Sequence, residues 1–464
     1  MEENEGTGSP LGRRGFIRSV AAAGAGIMAS DAVMAAVTAT KPAHAPVPKP
    51  VVSAEPKLPE IKIAMIGPGN QGRNLLINCL RRKDVRFVAI CDIWPYAQEY
   101  ASGILRKYDQ PVTCYTDYQD MLEKQKDIDA VIIATPDWMH SPQTVDCLKA
   151  GKHVYCEKEM SNTIEGAKAM VQAQRDTGKL LQIGHQRRSN PRYFHVLKLI
   201  TKDKFCGVIH HTYGQWNRSR PLNLGWPKGR ELDAATLAKY GYDSMDRFRN
   251  WRWYKKFSGG PIADLGSHQI DIFCWFLKAN PSSVYASAGS DYASLYKDRE
   301  WYDNIMTIYE FPTPSGTVRG FYEVLNSTSF GGYYEVFEGE NGSIEISEDV
   351  THGAMFPEPA APRQDWQDMA QTVQKEGKEA ILLDIGKTLG AHGESAKQIK
   401  EFNENMSKPP HLLHLENFFD AIHGSTKLTC PPDIAFETCV AVLGANDSVA
   451  SGGKVSFQPE QFKV

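Results

Sequence analysis

Three glycines and one acid carry the first recognisable chemistry in this chain of 464 residues. Ile61-Lys62-Ile63-Ala64-Met65-Ile66 reads as a buried strand and runs straight into Gly67-Pro68-Gly69-Asn70-Gln71-Gly72, a G-x-G-x-x-G turn. Gly67 can make a tight turn, Gly69 lets backbone approach a pyrophosphate, and Gly72 lets a helix starting near Gln71 pack close to the strand. A second apolar run, Val85 to Cys91, ends in Asp92, about twenty residues beyond the last glycine, where a carboxylate can accept from ribose hydroxyls. Asp92 would repel a 2′-phosphate, and Ile93-Trp94-Pro95 supplies no arginine to receive one. The expected cofactor is therefore NAD, with Trp94 placed to pack against its adenine.

Further polar residues fall where such strands end. Ala130 to Ala134 is a short apolar run leading to Thr135, Pro136 and Asp137. His153 to Cys156 delivers Glu157-Lys158, and Leu180 to Gly184 delivers His185. In an open parallel sheet, ligands bind outside the carboxyl ends of the strands. Gly67, Asp92, Thr135, Lys158 and His185 should therefore share one site. Helical patterns lie between the strands: Thr144 to Ala150, and Ser161 to Gly178 with Ser161 or Asn162 as N-cap.

From about residue 186 the texture changes. Extended segments appear at Val208–Trp216, Val284–Gly289, Asn304–Phe311, Thr317–Val324 and Tyr333–Phe337, joined by Gly/Pro/Asn turns. They imply a mainly antiparallel sheet. Residues 219–258 form an aromatic, basic insertion with Trp226, Trp251, Trp253 and Tyr254, suited either to stacking on a pyranose or to packing a core. Helical patterns return at His411–His423 and Asp433–Ala450. The fold class expected is α/β: an N-terminal Rossmann domain (60–185) and a C-terminal α/β domain (186–464) with a large mainly antiparallel sheet.

Arg13-Arg14, followed by the Ala/Gly-rich run Ser19 to Ala29, has the form of a twin-arginine export signal. We read residues 1–45 as that signal and 46–59 as a linker, which makes the mature protein periplasmic and the Tat machinery a partner. A net charge of −3, without a polybasic block, gives no basis for binding nucleic acid or a membrane surface. Nine cysteines include no C-x-x-C and no Cys/His cluster at zinc spacing, so neither a metal site nor an essential disulfide is expected.

These motifs together resemble the Gfo/Idh/MocA sugar oxidoreductases. The resemblance rests on the glycine turn, Thr135-Pro136-Asp137-Trp138-Met139-His140, Glu157-Lys158, Gly259-Gly260-Pro261-Ile262-Ala263-Asp264-Leu265-Gly266-Ser267-His268, and Asn417 to Ile422, which is similar to the family's helix returning to the Rossmann domain. It implies a catalytic set of Lys158, Asp264 and His268. It also implies a sheet that covers the active site and often mediates oligomerisation, hence a homo-oligomer. Lys158 could stabilise a developing oxyanion. His268, titrating near neutrality, could take a hydroxyl proton. Asp264, four residues before His268, would share its helix face and orient the imidazole.

The cofactor-binding set is Gly67, Gly69, Asn70, Gln71, Gly72, Asp92, Thr135, His140, Glu157, Lys158 and Gln186, with Arg187 and Trp138 near the nicotinamide or sugar. Glu159 stands where the family usually has proline, which removes a restraint that could favour a cis bond, and adds a carboxylate able to weaken Lys158 or engage substrate. The expected activity is NAD-dependent oxidoreduction at a hydroxyl of a sugar, glycoside or polyol with tightly bound cofactor. The alternative is a glycoside hydrolase or lyase acting through a transient keto-sugar.

Overall fold

Six short apolar runs pair side by side: β1 (Ile61–Ile66), β2 (Val85–Cys91), β3 (Thr113–Tyr115), β4 (Ala130–Ile133), β5 (His153–Cys156) and β6 (Leu181–Ile183). They form a parallel sheet in the order β3-β2-β1-β4-β5-β6. The computed structural model describes residues 58–219, 223–291, 298–375, 377–383 and 395–464. The expected leader and nearly all of the linker lie outside the described residues. Helices α1 (Asn70–Cys79), α2 (Pro95–Arg106), α3 (Tyr118–Lys124), α4 (Asp137–Lys149) and α5 (Ile164–Thr177) make the crossovers. All four residues of β4 are buried, as a central strand covered on both faces requires. Strand order reverses between β1 and β4, which opens a ligand crevice beyond their carboxyl ends.

Two helix starts differ from expectation. α4 begins at Asp137 rather than Thr144 and runs through Pro142, with Asp137, His140 and Thr144 buried along it. α5 is capped by Thr163, whose hydroxyl accepts from the Gly166 amide at 3.1 Å, whereas Ser161 caps only the preceding turn through the Thr163 amide.

The second half opens with α6 (Pro191–Thr201) and β7 (Ile209–Asn217), passes two short helices, α7 (Ala234–Lys239) and α8 (Met245–Arg249), and reaches α9 (Ser267–Leu277). The remaining strands are β8 (Ser283–Gly289), β9 (Asn304–Thr313), β10 (Gly316–Leu325), β11 (Tyr333–Gly339), β12 (Gly342–Ile346), β13 (Gly353–Pro357), β14 (Thr372–Lys375), β15 (Lys378–Leu382) and β16 (Val455–Ser456). They build a ten-stranded sheet, β14-β15-β13-β12-β11-β7-β10-β9-β8-β16, antiparallel throughout except for β7 beside β10. The five extended segments read from sequence are β7 to β11. β12 to β16 are at most five residues long and alternate too briefly to be read that way.

One face of this sheet is closed by α9, where Phe273 meets Phe311 at 6.4 Å and Phe276 meets Phe337 at 5.1 Å. Three helices follow the sheet strands: α10 (Ala396–Met406), α11 (Pro410–Ile422) and α12 (Pro432–Ser451). α11 turns back to the parallel sheet, where Leu415, Phe418 and Phe419 pack with Ile63, Met65, Ile132 and Tyr155. Burying each of those side chains contributes about 1.5–3 kcal/mol, so the end of the chain completes the core begun at its start. α12 packs against α5, α9 and β8 and joins the two sheets in one continuous core.

Candidate active site

At the glycine turn, backbone replaces side chain. Gly67 has φ +84°, and a Cβ there would lie 2.8 Å from the Ala134 carbonyl; one on Gly72 would lie 2.2 Å from the Gly67 carbonyl. A Cβ on Gly69 would meet nothing within 4 Å. No side chain caps α1, so its first amides face that open space, the arrangement in which a helix start holds a phosphate. Gln71 donates to Glu157 at 3.1 Å, linking the turn to the end of β5, while Asn70 accepts from Arg73. Asp92 accepts from the Trp94 amide at 2.8 Å, and burial pushes its carboxyl up to about 6. Open space at Gly69, an uncapped helix start and an acid at the end of β2 fit a dinucleotide.

One expectation at this end is corrected and one is extended. Trp94 is not free for adenine: its indole donates to the Arg230 carbonyl at 2.6 Å, the Arg249 guanidinium lies over its ring at 4.8 Å, and it is buried with Leu232, Leu237, Tyr242 and Met245 of the insertion. Arginines are also present near Asp92. Arg249 and Arg73 both favour its ionised form, and only folding brings Arg249 there.

The second cluster gathers at the ends of β5 and β6. Gly259 to Gly266 leads into α9 through a π-helical turn, Ile262–Gly266, which carries Asp264. Asp137 anchors this segment by accepting from the Gly259 amide at 3.2 Å. Lys158 Nζ donates to the backbone carbonyl of Asp264, so the lysine and the π-helical turn meet directly. The Asp264 carboxylate, however, faces Arg252 at 3.1 Å and Arg218 at 3.3 Å. Burial alone would raise its pKa, but Arg252, Arg218 and Lys158 hold it well below the usual carboxylate range. It therefore does not orient His268, as the four-residue spacing suggested, because the two guanidinium groups engage its carboxylate.

His268 opens α9 and is buried, with Nδ1 unpartnered and its ring 5.3 Å from Trp216. Burial, then the charges of Lys158 and Arg187, depress its pKa well below the ordinary value. It is held neutral rather than titrating near neutrality. Sequence reasoning missed Arg218 and Trp216, which come from β7 and its end; nothing local marks them as site residues.

Other expected site residues act as scaffold. His140 contacts the Thr135 carbonyl at 2.8 Å and the Glu159 carbonyl at 2.6 Å, so it pins two strand-end loops together instead of facing the cofactor. A neutral ring has one N–H and both partners accept, which favours the imidazolium. Thr135 donates to Gln143 at 2.7 Å. Gln186 is buried in a 3-10 turn after β6. Arg187 is committed to Glu335 and Glu348 and lies 5.6 Å over Trp216, supporting the wall beside His268. Trp138 is bonded to Tyr242 of the insertion at 3.3 Å.

Glu159 is buried and accepts from the Met160 amide at 2.8 Å with one carboxylate oxygen, while the other has no hydrogen-bond partner among the described residues. The Lys158–Glu159 peptide is cis even without proline. His185 is buried with both ring nitrogens unpartnered and lies 3.9 Å from Asp271; burial lowers its pKa to about 4.

Comparison with known proteins agrees with this architecture. Residues 61–185 match the oxidoreductase family with an NAD-binding Rossmann fold, and residues 197–345 match the GFO/IDH/MocA C-terminal domain. An inositol 2-dehydrogenase of Rubrobacter xylanophilus is 23% identical over 291 residues, 62% of this chain and 71% of that protein. A glycosyl hydrolase family 109 protein of Shewanella amazonensis is 30% identical over 265 residues, 54% of each chain. The WlbA dehydrogenase of Bordetella pertussis, solved with NADH and UDP-GlcNAcA, shares the fold at 20% identity and TM-score 0.60, over 86% of this chain and 99% of that one. With both domain families matched along the chain and a dinucleotide turn beside a lysine-bearing strand end, the protein belongs to the Gfo/Idh/MocA family of NAD-binding oxidoreductases.

Proposed function

We propose that this protein is a periplasmic oxidoreductase that acts on a hydroxyl of a sugar, glycoside or polyol and keeps its NAD between turnovers. The observation carrying this reading is Lys158 Nζ held against the π-helical turn, with neutral His268 on the helix that follows. NAD, when bound on the glycine turn and Asp92, would supply the hydride acceptor for the carbon bearing the hydroxyl. Lys158 hydrogen-bonds the oxygen as charge develops on it. His268 takes the hydroxyl proton, and its neutral state leaves a lone pair for that purpose. The C–H and O–H bonds break as the C=O bond forms. Arg252 and Arg218 hold Asp264, and through its carbonyl they hold Lys158.

Arg13-Arg14 support export of a folded protein already loaded with cofactor. Retention follows from that location: the periplasm has no evident pool of free NAD, so a closed redox cycle requires the cofactor to stay bound. The hydrolase or lyase alternative uses the same first step and returns the hydride after elimination; the name of the Shewanella relative favours it. Glu157-Lys158 at the end of β5 favours net oxidoreduction. Incubation with a panel of glycosides and no added NAD, read by mass spectrometry, separates the two. A keto-sugar paired with a reduced acceptor supports oxidoreduction, whereas free sugar with unchanged cofactor supports hydrolysis.

Self-association fits the same picture. Tyr285, Ile308, Phe321 and Tyr213 stand opposite one another on neighbouring strands of the ten-stranded sheet, on the face away from α9. Tyr285 and Ile308 are exposed, and Tyr213 stacks on Phe321 at 5.6 Å. A second copy would cover this row. Native mass spectrometry of the wild type and Ile308→Asp tests it, and a monomeric wild type refutes it.

A further inference from the structure

The insertion between β7 and α9 has no assigned role, and its packing is unlike that of a free sugar platform. Tyr242, Trp253, Tyr254 and Phe257 are buried against one another and against Trp94 and Ala97, so their faces are not open to a substrate. What they bury instead is the carboxyl edge of the parallel sheet. Trp94 follows β2 and Trp138 follows β4, and these two strands flank β1 and its glycine turn on opposite sides.

The insertion grips both flanks. Trp94 donates to the Arg230 carbonyl at 2.6 Å and meets Phe248 edge-on at 5.9 Å. Arg230 pairs with Glu99 of α2 at 3.0 Å and lies 5.8 Å over Tyr96. On the other side, Trp138 donates to the Tyr242 hydroxyl at 3.3 Å, and its backbone amide donates to the Phe257 carbonyl at 3.3 Å. Gly241, at φ +81°, brings backbone so close that a Cβ would lie 2.9 Å from the Trp138 ring.

We propose that residues 223–258 form part of the dinucleotide site, a clasp fastened on both sides of the glycine turn that keeps the adenosine half of NAD from leaving. This rests on the reading that the cofactor is retained. A ligand seated on the glycine turn and Asp92 lies at the edge that the clasp joins from β2 to β4. Its departure requires the Trp94 or Trp138 anchor to part, which exposes apolar side chains to water. Arg249 contributes charge at the same point, since it lies over Trp94 and favours ionised Asp92. The retention device is thus built from a tertiary insertion rather than from the glycine motif.

The test follows release of NADH from the full-length protein by the loss of bound-nicotinamide fluorescence during a chase with excess NAD. Trp94→Phe/Tyr242→Phe keeps an aromatic ring at each position and removes the indole donor to Arg230 together with the hydroxyl that accepts from Trp138. We expect slow release from the wild type, release at least tenfold faster from the double variant, and cooperative unfolding of both NAD-free proteins. Arg230→Ala, at a half-exposed side chain, loosens the β2 side alone and should speed release several-fold, which keeps the test decisive if the double variant misfolds. Slow release from the wild type and equally slow release from folded variants overturns the clasp while leaving retention intact. Rapid release from the wild type overturns the retained-cofactor reading and the clasp with it.

Discussion

Replacing Lys158 by Met tests the chemistry and the electrostatics of the site at once. The change removes the ammonium but keeps most of the side-chain volume, so the strand end remains packed. It leaves the Asp264 carbonyl without its donor, a net loss of about 1 kcal/mol for a partly buried hydrogen bond. The catalytic loss is larger. Removing one donor to a developing oxyanion costs roughly 2.7–4 kcal/mol, or about 10²–10³ in turnover. A third effect has a definite sign. After burial, the Lys158 charge is the leading influence that disfavours protonation of His268. Without it the imidazole becomes more basic. Because the base must be neutral to act, the acid limb of the kcat/KM profile should move to higher pH in Lys158→Met.

The assay is single-turnover reduction of bound NAD, followed by nicotinamide absorbance across the acid and neutral range, beside a measurement of bound-cofactor content. Near-normal turnover with cofactor in place would show that Lys158 does not stabilise the alkoxide. A large loss with an unmoved acid limb would show that His268 is not the titrating base.

Asp264→Asn should reduce turnover less than His268→Ala, whose loss as a general base costs about 10²–10⁴, because the carboxylate sits on Arg218 and Arg252. Its cost should appear as about 1–3 kcal/mol in urea unfolding, with the half-exposed Arg252 contact contributing least; equal activity losses with unchanged stability would place the carboxylate on the imidazole. Asp92→Ala should weaken NAD and admit NADP. In the wild type, discrimination against NADP should fade as pH drops through about 6 and the carboxyl protonates, so a pH-independent preference, measured by competition binding, refutes the assignment. Buried His185 and His414, lowered to about 4 and about 3, stay neutral when folded but protonate near 6.5 when unfolded. Each should cost roughly 1.4 kcal/mol of stability per pH unit as pH falls below about 6.5, until its folded pKa is reached; the raised carboxyls of Asp92 and Glu335 work in the opposite direction over the same range, so the readout is the urea midpoint of the wild type relative to His185→Phe, and a difference that does not change with pH would contradict the burial of His185.

Much of this molecule is legible along the chain because its signals are local. A strand that must be buried on both faces is a continuous apolar run, and a turn that must admit phosphate lacks side chains. Ile61 to Gly72, Val85 to Asp92 and the three later strand ends could be placed with their polar residues before any contact was known. The alternation in β7 to β11 was equally readable, since each of those strands is at least seven residues long. The short strands β12 to β16 gave too little periodicity to separate from turns.

What only tertiary structure decided is the partner of each charged group. Spacing placed Asp264 and His268 on one helical face, but two arginines, Arg218 from the end of β7 and Arg252 from the insertion, took the carboxylate elsewhere. Trp94 and Asp92 read as a simple nucleotide edge until the insertion folded over them and brought Arg249 within electrostatic range. Chain sequence determines which strands and turns form, because that depends on neighbours a few residues apart. The state of His268, the grip on Asp264 and the covering of the cofactor edge depend on charges and apolar surfaces far apart in sequence, and only packing brings those together.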